Sequence, residues 1–211
     1  MNMQWMDSFE WRYACKKMNG QSVPQEKIDS ILQAIRLAPT SMGLQPFTVL
    51  VITDLELRKK IQPVAFNQSQ ITDSSHLLVF AAWSSITEDK IREYVANAAH
   101  IRNTTTEALK GLSDMLTGAL LHQSDEQNFN WAARQAYIAL GFGLAAAAME
   151  QVDATPMEGF QPGKLDELLE LPAKGLRSVS MLALGYRDAE NDWLVNLAKV
   201  RRQPEQLFIH Y

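Results

Sequence analysis

The stretch from Phe129 to Gln151 limits the folds open to this chain more than any other. Trp131, Tyr137, Ile138, Leu140, Phe142, Leu144 and Met149 spread round nearly every face of the helix its pattern predicts. Gly141, Gly143 and the alanines at 145–148 let neighbouring backbones come close. A helix that is apolar all round has to be buried. In a chain of 211 residues, a subunit interface is expected to supply part of that burial, which predicts a homodimer.

A single domain over residues 1–211 is the simplest organisation, because no repeat, low-complexity tract or linker divides the chain. The longest uncharged helical run, Gln135 to Met149, is shorter than the ~20 apolar residues that cross a bilayer. No membrane partner is expected. The start, MNMQWMDSFEWR, lacks a basic n-region followed by an apolar h-region, and Cys15 has no second cysteine to pair with. Both point to a cytoplasmic protein. Net charge is -4, with lysine and arginine scattered except near the termini, which does not suit a nucleic-acid binder. The exceptions are Arg12 with Lys16 and Lys17, and Lys199 with Arg201 and Arg202. If folding brings these two groups together, they form an anion site.

Along the chain, Ser22 and Gln25 have capping-box spacing ahead of a helix carrying Ile28, Ile31, Leu32 and Ile35, and Pro39 ends it. Phe47 to Ile52 is a continuous apolar run, read as a strand buried on both faces. The short polar loop 40–45 is thus held between two buried elements, a good place for a ligand contact. Thr53 and Glu56 again suggest a capping box, for a helix that stops at Pro63. A polar loop at 67–70 leads to a second buried strand, His76 to Trp83. Residues 87–122 read as two helices broken at 103–106, a pair placed to act as a lid. Gln123 to Gln127 reads as a turn, Val152 to Phe160 as a turn-rich link, Leu165 to Leu169 as a short helix and Ser178 to Leu184 as a third strand. The apolar cluster Leu207-Phe-Ile near the end suits packing on a partner subunit, as an added strand.

Several chemistries find no support. The four histidines and one cysteine offer no HExxH, CxxC or other ligand spacing, so no metal site is expected. His76 opens a buried strand and reads as structural. Ser41 is not in a GxSxG elbow. Gly141-Phe-Gly143-Leu-Ala-Ala146 matches GxGxxA as a string but lies inside a helix, where it cannot cradle a pyrophosphate. A bound cofactor would need few protein groups beyond anion binding and orientation.

Four motifs in order now resemble one family: Arg12-x-x-x-Lys16, Ala38-Pro-Thr-Ser-x-x-x-Gln-Pro-Phe47, Thr155-Pro-Met-Glu-Gly-Phe160 after the Ala-rich helix, and Lys199-x-Arg201-x-x-Pro204. Together they look like the FMN-dependent nitroreductase family from about residue 7 to 211, closest to the branch of oxygen-insensitive NAD(P)H nitroreductases and dihydropteridine reductases. The resemblance implies an α+β, nitroreductase-like three-layer fold. Its central, mostly antiparallel sheet is flanked by helices, with a domain-swapped C-terminal tail in a homodimer. It implies FMN as cofactor and NAD(P)H as reductant, in a ping-pong transfer of hydride to flavin N5 and on to nitroaromatics, quinones or similar acceptors. A dihydropteridine or enone reductase of the same fold and a non-catalytic FMN-binding module stand as alternatives.

By residue, the resemblance assigns Arg12, Lys199 and Arg201 to the FMN phosphate, with Tyr13 and Ala14 beside it. Lys16 is placed near the flavin N1 and C2 carbonyl, as the catalytic cation that stabilises the reduced ring. Pro39, Thr40, Ser41 and Gly43 would line the flavin from the other subunit, Asn67 and Gln70 its pyrimidine edge, and Pro156, Met157, Glu158 and Gly159 its opposite face. Met42 and Leu112 would meet the substrate. The chain departs from the pattern at Ala14, where serine is common, at Gly43, where asparagine is common, and at Phe47, where tryptophan is common; some branches also have lysine in place of Gln70. The first two changes remove two hydrogen-bonding side chains.

Overall fold

The structure is a computed structural model that describes residues 5–211. Chain order is α1 (Trp5–Trp11), α2 (Gln25–Leu37), β1 (Phe47–Ile52), α3 (Leu55–Val64), α4 (Gln70–Asp73), β2 (His76–Trp83), α5 (Glu88–Ile101), α6 (Lys110–Leu120), α7 (Asp125–Met149), β3 (Asp153–Met157), α8 (Pro162–Leu168), β4 (Leu176–Gly185) and α9 (Pro204–Leu207). The four strands form one sheet in the order β1-β2-β4-β3, and every pairing is antiparallel.

The pleat of β2 explains the three layers. Leu77, Val79 and Ala81 face one side and pack with Ile61 of α3 and Leu165 of α8. Leu78 and Phe80 face the other and pack with Ile28, Ile31 and Ile35 of α2 and Ala136, Ala139 and Leu140 of α7. Because helices cover both faces, β2 is buried from His76 to Ala82 despite being antiparallel, and Trp83 at its end is half-buried. A third cluster, Leu44, Ile91, Val95, Leu116 and Leu120, holds the α5–α6 pair together away from the sheet. Its helices break where Asn103 takes a positive φ of 50°.

The structure corrects several local expectations. Pro24, not Ser22, occupies the N-cap of α2, with no side-chain cap bond, so the Ser22–Gln25 box does not form. Asp54 caps α3 by accepting from the Glu56 amide at 2.8 Å, displacing Thr53, and the helix runs through Pro63 to Val64. Pro63 is tolerated in the last turn, where it costs a single backbone bond. β1 is an edge strand with Thr48 and Val51 exposed, not a strand buried on both faces. The expected link 152–160 contains β3, which pairs Thr155 with Ala183 and Met157 with Met181.

The segment 123–127 is not a turn. Ser124 and Gln127 form a full capping box that starts α7 at Asp125. Replacing Ser124 by alanine is expected to cost about 1 kcal/mol, measured as a lower urea midpoint with an unchanged slope.

Within this chain α7 is not buried all round. Tyr137, Ile138, Phe142 and Met149 are exposed, as are Trp5, Met6 and Phe9 on α1, which packs against α7. Leu207, Phe208 and Ile209 of the tail are exposed as well. No helix among the described residues is long and apolar enough to cross a membrane.

Candidate functional site

Residues 12–16 form an irregular segment held from three directions. On one side Asp192, itself buried, accepts from the Tyr13 hydroxyl at 2.9 Å, the Lys16 amide at 2.8 Å and the Leu194 amide at 2.9 Å. Burial works against the Asp192 carboxylate, but these donors outweigh it and hold its pKa below the ordinary range. Burial, and then the same bond, raise the pKa of the Tyr13 phenol.

On a second side, the Cys15 carbonyl accepts from Thr155 Oγ1 at 2.9 Å and Gln70 Nε2 at 3.3 Å. That spends the hydroxyl proton of Thr155, so the Cys15 thiol, 3.5 Å from Oγ1, is the donor in their contact. Burial is the main reason its pKa is pushed up to about 11. From the third direction, the Arg187 guanidinium lies 4.3 Å from the Trp11 ring centroid and 4.5 Å from that of Tyr13. Arg187 also forks onto Asp153 of β3, with Nε at 2.9 Å and Nη2 at 2.6 Å from Oδ1.

These braces aim Arg12 into a cleft of about 550 Å³ lined by Phe9, Glu10, Gly141, Leu144, Ala145, Lys199 and Arg201. Of the two basic groups from opposite ends of the sequence, Arg12 therefore meets Lys199 and Arg201, while Lys16, Lys17 and Arg202 do not line this cleft. Burial lowers the Arg12 pKa and Arg201 lowers it further; Lys199 is likewise lowered by burial and then by Arg12 and Arg201. Among the described residues none of the three forms an ion pair with a carboxylate. Arg12 Nε is buried with no hydrogen-bond partner. Lys199 Nζ donates to the Glu10 carbonyl and Arg201 Nη1 to that of Val200 at 2.7 Å. Three cations gathered without a paired carboxylate suit a multiply charged anion, and a phosphate of the FMN type fits the chemistry of these donors.

Leu144 also lines a second cavity with Tyr137, Leu140, Pro156, Met157, Glu158 and Ser180, so α7 joins the cationic cleft to the end of β3. Glu158 is exposed and accepts from the Tyr137 hydroxyl, whose pKa burial and this bond raise to about 12. Gly159 gives its carbonyl to Gln68 Nε2 at 2.7 Å, which ties the loop containing Asn67 to the same corner. Asn67 is exposed with φ 55°, whereas Gln70 is buried and its amide is committed to Cys15. Tyr13 and Ala14 line a smaller cavity with Arg12, Lys199 and Arg201.

Pro39 to Gly43 lies apart from these cavities, none of which it lines. Its contacts go to α7 and α5: the Ser41 amide donates to Gln135 Oε1 at 2.8 Å, and the Tyr94 hydroxyl to the Met42 carbonyl at 2.9 Å. Met42 and Leu112 both pack against the α5–α6 cluster. His76 is structural as expected, bonded through Nδ1 to Ser75 Oγ at 2.9 Å, with its pKa lowered by burial and then by Arg58. No group of three or more His, Cys, Asp or Glu side chains suited to a metal occurs among the described residues.

Sequence reasoning gave no site role to Asp153, Asp192, Gln135, Tyr94 or Tyr137. Their partners lie far off in the chain, and only the position of Arg187, just past a strand end, carried a local hint.

Comparison with known proteins points the same way. The model of the nitroreductase family matches residues 9–186. The protein named "Putative NAD(P)H nitroreductase YfkO" from Bacillus subtilis (strain 168) is 31% identical over 205 residues, covering 89% of this chain and 90% of that one. The solved structure of "a putative NAD(P)H:FMN oxidoreductase" from Staphylococcus epidermidis ATCC 12228 superposes with a TM-score of 0.85 at 18% identity, covering 100% of this chain and 97% of that one. That of "a putative nitroreductase in complex with FMN" from Exiguobacterium sibiricum 255-15 gives 0.83 at 18% identity, covering 99% and 98%. The two structures share the fold, and the family match spans the braced segment, both helical layers and the whole sheet: this chain belongs to the nitroreductase family.

Proposed function

We propose that the protein is an FMN-dependent NAD(P)H oxidoreductase that acts as a homodimer on electron-poor acceptors such as nitroaromatics and quinones. One observation carries the reading: Arg12, Lys199 and Arg201 share a cleft without a paired carboxylate, and Arg12 Nε is buried and unpartnered. The NAD(P)H nitroreductase name of the Bacillus relative and the FMN of the Exiguobacterium structure support it.

FMN, when bound, would supply the redox chemistry, a ping-pong transfer of reducing equivalents from NAD(P)H to the acceptor. The protein binds and orients. Arg12, Lys199 and Arg201 would hold the phosphate through charge-assisted bonds, with Tyr13 and Ala14 alongside. Lys16, whose backbone is fixed by Asp192, would supply the cation that stabilises negative charge on the reduced ring. Asn67, Gln70 and the Pro156 to Gly159 segment would border the ring. Pro39, Thr40, Ser41 and Gly43 of a second subunit would close the site, leaving Met42 and Leu112 toward the acceptor. That subunit would also cover the exposed apolar residues of α1, α7 and the tail. The same proposal places the protein in the cytoplasm.

The test is FMN titration of flavin-free protein. Binding should quench flavin fluorescence and raise the melting temperature, with about 2.7 kcal/mol of added stability at a hundredfold excess over Kd. If FMN leaves both unchanged, the proposal fails.

A further inference from the structure

The 40–45 loop is unusually constrained for a connector. Met42, Gly43 and Gln45 all have left-handed backbones, with φ of 56°, 70° and 48°. Two of the three carry side chains that disfavour this region. The loop is held there by bonds from outside it. Gln135 of α7, buried, takes the Ser41 amide, and Tyr94 of α5 caps the Met42 carbonyl at 2.9 Å. Within the loop, Thr40 Oγ1 accepts from the Gln45 amide at 3.1 Å.

Tyr94 also decides what position 43 can be. A Cβ built on Gly43 would lie 2.7 Å from Tyr94 Oη but 3.7 Å from Tyr94 Cζ. The hydroxyl alone fills that space; the ring stands at ordinary contact distance. A tyrosine oxygen from the helix pair thus stands where the loop's own side chain would begin.

We propose that Tyr94 is a positioning residue for the site, its hydroxyl standing in for a side chain at position 43 and locking the α5–α6 pair to the 40–43 loop. The loop and the helix pair then move as one piece. Tyr94 packs in the same cluster as Met42 and Leu112, so the lock also fixes the two residues placed toward the acceptor. The inference rests on the flavin-site reading only for its consequence in binding. The coupling between Tyr94 and Gly43 stands on geometry alone.

The experiment is a double-mutant cycle on the full-length protein with Tyr94→Phe, Gly43→Ala and the pair. The strain of alanine at positive φ is common to both backgrounds and cancels in the cycle. Gly43→Ala should therefore lower the urea midpoint clearly more with Tyr94 present than with phenylalanine. Tyr94→Phe alone should weaken FMN binding by about five-fold, the effect of one neutral hydrogen bond, and shift KM among acceptors of different size more than it shifts kcat. Equal midpoint shifts in both backgrounds would overturn the coupling. An unchanged FMN Kd together with unchanged KM values would overturn the positioning role. If the unmutated protein binds no FMN, the functional proposal and the positioning role both fall, while the stability cycle still reports whether the two residues are coupled.

Discussion

Arg187→Met is expected to lower the unfolding free energy by about 3–5 kcal/mol, seen as a large fall in the urea midpoint. The Asp153 side chain is 3% exposed and the Arg187 side chain 21% exposed. The carboxylate takes a fork from the guanidinium and a further bond from the Arg187 amide at 2.8 Å. Removing the guanidinium leaves a buried charge with one backbone donor, which costs more than the pair itself contributes. The change also strips the cation from between Trp11 and Tyr13, the rings that flank Arg12. Adding Asp153→Asn to this variant should recover part of the loss, because the orphaned charge is then gone. A fall below 1 kcal/mol in the single variant would mean that the clamp between β4, β3 and the 11–13 segment is not what holds Arg12 in place.

Arg12→Ala is expected to do the reverse: leave stability nearly unchanged and weaken FMN binding by roughly 10- to 100-fold, the value of a charged hydrogen-bonding partner. Arg12 crowds Lys199 and Arg201: burial and then Arg201 lower the Arg12 pKa, and Arg12 helps lower that of Lys199, so in the absence of an anion its removal relieves repulsion. Riboflavin, which lacks the phosphate, should bind the variant and the parent alike. Arg12→Lys should restore only part of the affinity, since lysine cannot offer Nε and a fork together. Comparable losses for FMN and riboflavin would contradict a phosphate role for this residue.

Much of this architecture was legible because its signals are local. β2 was expected over the residues it occupies, since the apolar run that follows His76 has few other fates. Pro39 ended α2, and the polar, β-branched break at 103–106 separated α5 from α6. The convergence of Arg12 with Lys199 and Arg201 was also anticipated, because charges concentrated in an otherwise scattered pattern invite a common ligand.

What escaped depends on partners far away in the sequence. β3 carries Asp, Thr and Pro in five residues and reads as a turn; it is a strand because β4 pairs with it. β1 is an apolar run that sits at the edge of this chain's sheet. Asp192 reaches Tyr13 across 179 positions and Arg187 reaches Asp153 across 34, so no window of sequence contains both ends. Gly43 looked like a lost side chain until Tyr94 was found in its space.

Anaerobic addition of NADH or NADPH to the FMN-loaded protein tests the central claim most directly. The account predicts that the visible flavin absorption bleaches within the mixing experiment and returns when a nitroaromatic or quinone is added, with the nicotinamide oxidised in step. Flavin that binds tightly and stays oxidised under both reductants would contradict it and leave a protein that holds FMN without using it.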